Sequence, residues 1–239
     1  MSRTDDVVNG IKHMILNGEL RPGERLPVEK DLAEALDVSR GSLREGVRAL
    51  VILGVLDTRQ GDGTYVTGLD VSRLLAPMGL MVEIQGEGQA RHLHAVRRYL
   101  EVEAVRLAAY RIPDEALAEA KALLDEAALI LDTAPDEHER IIEIDIDFHR
   151  IIASHTGNPV LAGMIETLTG HTVRERLWRS LREDGADRRT HEEHLAIWRS
   201  LRDHDPDGAR VRMANHLLGV EESVNDGDTE TPPSSESSE

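Results

Sequence analysis

The amino-acid sequence predicts a mainly α-helical protein in two parts, a small N-terminal domain that ends in a strand hairpin and a larger helical bundle. Three observations lead to this prediction. The composition favours helix, because Ala, Leu, Glu and Arg are plentiful and aromatic residues make up only 3% of the 239 residues. Apolar residues recur at helical spacing along most of the chain. Near residue 60 this pattern gives way to short strand-like runs around glycines.

Three short helices are predicted before residue 55. Apolar residues at helical spacing mark each of them, for example Val7 and Ile11 in the first and Leu43 and Val47 in the third. Their ends are set by cap and breaker residues, because Ser, Thr and Asp cap helix starts and Gly ends helices. The boundary residues are Thr4 or Asp5 and Asn17-Gly18 for the first helix, Pro27 and Asp37 for the second, and Ser39 and Gly54 for the third.

Two short strands are predicted directly after the third helix. The runs VLDTR at 55–59 and TYVTG at 64–68 flank a turn that contains Gly61 and Gly63, which is typical of a hairpin. Three helices followed by a two-stranded wing make a winged helix-turn-helix. Residues 1–69 are therefore expected to form this domain.

The remainder of the chain predicts an all-α domain. Residues 70–88, interrupted by Pro and Gly, are interpreted as a linker. Helical periodicity then returns in six segments, which can form a bundle with its own core over 89–225. Residues 226–239 are acidic and rich in Pro and Ser, and we expect a disordered tail. The six segments lie near 89–111, 114–133, 136–156, 159–184, 187–204 and 206–224.

The composition also excludes several classes of protein. The chain has no Cys, which rules out disulfides, thiolate zinc sites and cysteine nucleophiles, so a metal would need His and carboxylate ligands. No apolar run approaches the roughly 18 residues of a membrane helix, and the first residues lack the features of a signal peptide. We expect a cytoplasmic protein with no membrane partner.

Residues 11–66 resemble the winged helix-turn-helix of GntR-type transcription regulators. The resemblance is carried by GELRPGERLP at 18–27, VSR at 38–40 and GDG at 61–63, in the order of the family pattern, and covers about residues 7–67. It implies that the partner is a double-stranded DNA operator.

The candidate DNA-binding residues lie on the second helix, at the start of the third and in the wing. A recognition helix needs hydrogen-bond donors near its N-terminus to reach base edges and phosphates, and glycines allow a wing to approach the DNA backbone. For Arg48, farther along the third helix, a solvated surface position remains the interpretation. The candidates are Lys30, Ser39, Arg40, Ser42, Arg44, Gly61 and Gly63.

The charge distribution predicts a dimer. Residues 1–69 hold nine Lys and Arg against eleven Asp and Glu, a net charge of −2, although the whole chain carries −17. One such domain should bind DNA weakly, because each neutralised phosphate contributes to affinity. A homodimer doubles the contacts and predicts a pseudo-palindromic operator.

The second part resembles the FCD domain, the helical ligand-binding domain of the FadR branch of the GntR family. The matching segments lie at 96–109, 145–161 and 191–217, and together they cover most of 90–217. The resemblance implies an effector-responsive regulator of transcription and leans toward a repressor. The implied effector is a small carboxylate.

A metal site is predicted in this second domain. Asp145 and His149, four residues apart on one helix, project from the same face, and a carboxylate and an imidazole can bind one ion. The resemblance adds two histidines from the last two helices, whereas Asp147 competes with Asp145 and His191 is given a structural or outer role. Such ligands suit Zn²⁺, Ni²⁺ or Mn²⁺. The candidate ligands are Asp145, His149, His194 and His216.

Arg97 is the candidate residue for effector binding. Its guanidinium can hold a carboxylate through two hydrogen bonds, and the alternative is a helix-surface salt bridge to Glu101. The sequence thus predicts a regulator and not an enzyme. Two alternatives stay open: a metal-dependent hydrolase, for which no motif places a second acid or nucleophile near the metal, and a regulator whose metal is structural or absent.

Overall fold

The computed structural model describes residues 2–71 and 90–229. The chain divides into two compact units, Met1–Leu80 and Met81–Glu239. Almost all of the predicted linker at 70–88 lies outside the described residues. No helix in the described ranges is both long enough and apolar enough to cross a membrane.

The N-terminal unit is a winged helix-turn-helix, as predicted. The two strands pair in antiparallel register, with Leu56 opposite Val66 and Arg59 opposite Gly63. A short bridge from Arg25 to Tyr65 attaches the loop before the second helix to the wing. The elements are α1 (Arg3–Leu16), α2 (Glu29–Ala35), α3 (Arg40–Ile52), β1 (Leu56–Arg59) and β2 (Gly63–Val66).

Two helix starts differ from the sequence prediction. Helix α1 begins at a capping box in which Ser2 and Asp5 bond each other's backbone N–H, so the cap is Ser2 and not Thr4 or Asp5. Helix α2 begins at Glu29, two residues after Pro27, with Val28 as a cap that makes no side-chain hydrogen bond. Ser39 is confirmed as the cap of α3, where its hydroxyl accepts from the Ser42 N–H at 3.1 Å.

The core of this unit forms where α1 crosses α3. A Cβ at Gly46 would collide with the side chain of Val7, so only glycine allows the two helices this close approach. Leu43 and Leu50 of α3 are buried on the same face and pack with Ile11. The opposite, exposed face of α3 is thereby left for contacts outside the domain.

The C-terminal unit is helical throughout its described residues. Its main core is formed by residues of its first three and last two helices, with Phe148, Ile152 and Ile197 buried almost completely. The helices are α4 (Ala90–Ala108), α5 (Asp114–Thr133), α6 (His138–Ser154), α7 (Pro159–His171), α8 (Val173–Arg182), α9 (Ala186–Arg202) and α10 (Pro206–Thr229).

The described part of this unit has seven helices, whereas six were predicted. The single helix expected near 159–184 is interrupted at Thr172, whose N–H and hydroxyl both donate to the Thr169 carbonyl. These bonds span three residues and tighten the last turn of α7, so the chain restarts as α8. Helix α10 extends into the predicted tail at 226–239, and residues 230–239 lie outside the described range.

Candidate functional site

The four predicted metal ligands lie together inside the C-terminal unit. Asp145 and His149 come from α6, His194 from α9 and His216 from α10. One possible ligand atom from each lies within 4.8 Å of all the others. All four side chains are buried, so their polar atoms need partners inside the protein.

The distances inside this Asp-His-His-His cluster fit a shared ion. His194 Nε2 lies 3.3 Å from His216 Nε2 and 3.3 Å from Asp145 Oδ1, and His149 Nε2 lies 3.7 Å from the same oxygen. Two ring nitrogens at 3.3 Å match the spacing of neighbouring donors around one ion with bonds of roughly 2.0–2.1 Å. Asp147 instead pairs with Arg150, which favours Asp145 as the carboxylate of the cluster.

Two carboxylates behind the cluster orient its histidines. His149 donates from Nδ1 to Glu101 on α4, and His216 donates from Nδ1 to Glu193 at 2.7 Å. An ionised carboxylate can only accept, so each ring carries its proton on Nδ1 and presents Nε2 as a lone-pair donor. This arrangement is typical of metal-binding histidines.

The histidines of the cluster are held neutral. Burial lowers the pKa of His149 and His194, and lowers that of His216 to about 4. Burial by itself would raise the pKa of the Glu101 carboxyl, but the charge of Arg97 and hydrogen bonds from His149 and Arg97 hold it far below its usual value. Neutral imidazoles beside ionised carboxylates are the protonation states that bind a divalent ion.

The residues present therefore fit a divalent metal. His149 Nε2 is buried and has no hydrogen-bond partner within the described residues, and it points at the other ligand atoms of the cluster. An orphaned buried acceptor carries a cost of about 1–3 kcal/mol, which a bound cation would remove. The donor set of three nitrogens and one oxygen suits Zn²⁺, Ni²⁺ or Mn²⁺.

A small cavity of about 30 Å³ adjoins the cluster. Asp145 and His216 line it from the metal side, and Arg97 and Arg179 also line it. Arg97 pairs with Glu101, but the pair is inside the bundle, with the Arg97 residue only 1% exposed, so the predicted alternative of a helix-surface salt bridge is wrong. Arg97 Nη2 has no hydrogen-bond partner in the part of the chain that is described.

The candidate DNA-binding residues lie on exposed parts of the N-terminal unit. Arg40 and Arg44 occupy the first two turns of α3, and Lys30 lies in the first turn of α2, all solvent-exposed. Ser39 and Ser42 are engaged with each other, their hydroxyl oxygens 3.0 Å apart at the start of α3. The Arg44 guanidinium donates from Nε to Glu29 at 3.0 Å, which holds it against α2.

The two wing glycines occupy different surroundings. Gly61 has a φ of +76° and open space where a Cβ would stand. Gly63 has a φ of +142°, and a Cβ there would lie 2.5 Å from Arg25 Nε. Glycine at 63 thus makes room for the Arg25 side chain as well as for the turn.

Sequence reasoning missed three residues that belong to these sites. Glu193 precedes a predicted ligand directly, and Arg25 lies within the family motif, so both positions carried a signal. Arg179 carried none, because an arginine on an amphipathic helix is ordinarily on the surface. Its burial against the cavity depends on tertiary packing.

A winged helix-turn-helix followed by a helical domain defines a class of protein, the DNA-binding transcription regulators, and not an enzyme. The chain belongs to the GntR family of bacterial regulatory proteins, in the branch with an FCD domain. The family model for bacterial regulatory proteins of the gntR family matches residues 3–66, and the model for the FCD domain matches residues 92–219.

Similar proteins cover nearly the whole chain. The chain is 32% identical over 218 residues to the uncharacterized HTH-type transcriptional regulator YcbG of Bacillus subtilis, covering 91% of this chain and 88% of YcbG. It is 29% identical over 213 residues to the HTH-type transcriptional repressor NanR of Klebsiella aerogenes, covering 88% and 80%. Among solved structures, Streptococcus agalactiae GntR gives a TM-score of 0.71 at 26% identity, covering 92% of this chain and 99% of that chain.

Proposed function

We propose that this GntR-family regulator is a repressor that a small carboxylate effector releases from DNA after binding beside a divalent metal. The observation that carries the proposal is the cavity that the metal cluster shares with a buried arginine: Asp145, His216 and Arg97 all line it. The description of the relative NanR as a repressor supports the direction of control.

The metal ligands would be Asp145, His149, His194 and His216. They come from three different helices, so a bound ion ties α6, α9 and α10 together and adds its binding energy to the folded state. When bound, the ion supplies positive charge that attracts an anion into the cavity. Glu101 and Glu193 keep two of the rings in the tautomer that this role needs.

Arg97 would hold the carboxylate of the effector. Its Nε donates to Glu101, which fixes the guanidinium, and its Nη2 has no hydrogen-bond partner among residues 2–71 and 90–229. A planar guanidinium with a spare donor recognises a carboxylate oxygen at defined geometry. Because Arg97 is buried, a bound acid is shielded from water and its charge–charge attraction is strengthened.

On the DNA side, the start of α3 would enter the major groove. Arg40 and Arg44 would reach base edges, with Ser39 and Ser42 beside them, and Lys30 would contact a phosphate. A homodimer would place two such helices on a pseudo-palindromic operator, one per half-site.

Metal analysis of purified variants tests the site. We expect about one divalent ion per wild-type chain, and loss of most of it in His149→Ala, because one of four ligands and its link to Glu101 are removed. His191→Ala is the matched control, since His191 is a partly buried histidine of α9 outside the cluster. Full metal content in folded His149→Ala, or equal loss in both variants, would overturn the ligand assignment.

A further inference from the structure

We propose that Arg179 of α8 is a second cationic contact for the effector, and that the effector is a compact hydroxy acid. The inference rests on the proposed function, because it concerns the same cavity. It adds a residue and a chemical class to that site.

Arg179 meets the cavity with an unsatisfied donor. Its side chain is 10% exposed, and its Nε has no hydrogen-bond partner in the described ranges. The nearest carboxylate, Glu183, lies 3.6 Å away and already accepts from Arg189 at 2.8 Å. A buried guanidinium with an unpaired N–H is costly, and an anion in the cavity would satisfy it.

Two buried arginines therefore present donors to one small space. Arg97 and Arg179 come from different helices, α4 and α8, and each has one N–H without a hydrogen bond to any described residue. Both donors are suited to a carboxylate. The anionic end of the ligand is assigned to this part of the cavity.

The rest of the cavity lining accepts hydrogen bonds. Asp187 lines it and is held by Ser180 Oγ at 2.5 Å and by His138 Nδ1 at 2.8 Å. Because the Ser180 hydroxyl donates its proton to Asp187, its oxygen can act toward a ligand only as an acceptor, and Thr190 adds another hydroxyl. A ligand group at this end must donate, which a hydroxyl does and a second carboxylate does not.

The size of the cavity limits the ligand. A volume of about 30 Å³ accommodates roughly two water molecules, so a long-chain or aromatic acid would not fit the site in this form. The negative charges of Asp145 and Asp187 also oppose a dicarboxylate. A two- or three-carbon hydroxy monocarboxylate combines the required donor, acceptor and size.

Calorimetry on the metal-loaded full chain tests the inference with matched acids. The probes are glycolate against acetate, lactate against propionate, and malonate as the dicarboxylate. We expect each hydroxy acid to bind at least about tenfold more tightly than its partner without the hydroxyl, and malonate to bind weakly.

Substitutions on α8 assign the contacts. Arg179→Gln should raise the Kd for glycolate about tenfold or more, and Ser180→Ala should reduce the preference for glycolate over acetate to about twofold or less. Arg182→Gln, an exposed arginine three residues farther along α8, is the control and should leave both values unchanged.

The outcomes separate the inference from the function on which it rests. If an acid binds wild type and needs Arg97, but Arg179→Gln binds it equally well, the role of Arg179 is wrong and the proposed effector site stands. If acetate or malonate binds as tightly as glycolate, the hydroxy-acid class is wrong. If none of the five acids binds, the proposed carboxylate site fails and the inference fails with it.

Discussion

At the scale of single residues, both sites depend on side chains whose partners fix their direction. Arg44 is exposed, yet Glu29 holds its guanidinium at 3.0 Å against α2. Glu101 orients both Arg97 and His149 from inside the bundle. In each case a carboxylate positions a cationic or neutral donor that the ligand, DNA or metal, would then meet without a further ordering cost.

We predict that Arg44→Ala abolishes specific operator binding and leaves the domain folded. A bidentate arginine–guanine contact contributes roughly 1–3 kcal/mol, and a symmetric dimer loses it twice. Operator titration at several salt concentrations, with Lys12→Ala of exposed α1 as control, measures this loss. A weak loss that is uniform across sequences, with a smaller salt slope, would make Arg44 a phosphate contact instead.

We also predict that Gly63→Ala destabilises the N-terminal unit more than Gly61→Ala. Both glycines have positive φ, so both substitutions carry a backbone penalty of about 1 kcal/mol, but only the Cβ at 63 meets the Arg25 side chain. Denaturant unfolding of both variants compares their free energies of unfolding. Equal losses would mean that Arg25 moves aside at no cost.

At the scale of helices and strands, the sequence predicts most of what local chemistry decides. Ser39 caps α3 because its hydroxyl reaches the Ser42 N–H, and the two-residue period of 64–66 gives a strand. The spacing of Asp145 and His149 placed them on one face of α6, and the family resemblance supplied the two other histidines. These expectations need only neighbouring residues or a motif.

The parts that the sequence did not predict depend on packing between distant helices. The break at Thr172 lies beside Arg97 of α4, whose Nη1 is 3.5 Å from the Thr172 hydroxyl. Arg179 is buried because α8 covers the cavity, and Glu101 is a partner of His149 only after α4 packs on α6. No periodicity along the chain contains these contacts.

The packing of α6, α9 and α10 around neutral histidines makes the metal-free bundle sensitive to acid. Unfolded histidines titrate near about 6.5, whereas burial lowers the folded pKa of His149 and His194 and brings that of His216 to about 4. The unfolded state therefore binds more protons below the unfolded pKa, and stability falls as the pH falls through this window.

Thermal unfolding of chelated protein between pH 7.5 and 4 measures the effect. We expect a stability that is highest above about pH 6.5 and declines toward pH 4, with a smaller decline in His216→Ala relative to its own value at pH 7.5. A pH-independent melting temperature would show that these histidines are not buried as neutral groups in the metal-free protein.

At the scale of the whole molecule, the account joins an effector site in one unit to an operator contact in the other. Such control is a coupling free energy, typically about 1–3 kcal/mol, and it must act equally in both directions. We therefore predict that saturating operator DNA weakens glycolate binding by the same factor by which glycolate weakens operator binding. Calorimetry with and without operator measures the first factor, and unequal factors would show that the two equilibria are not linked as proposed.

The most direct test of the central claim is one operator titration carried out on four samples: metal-loaded and metal-stripped full chain, each with and without saturating glycolate. We predict that glycolate lowers operator affinity roughly 5–150-fold in the metal-loaded protein and has no effect in the stripped protein. A loss of affinity that persists after the metal is removed, or an operator affinity that is the same in all four samples, would contradict the proposal that the Asp-His-His-His cluster and its cavity control DNA binding.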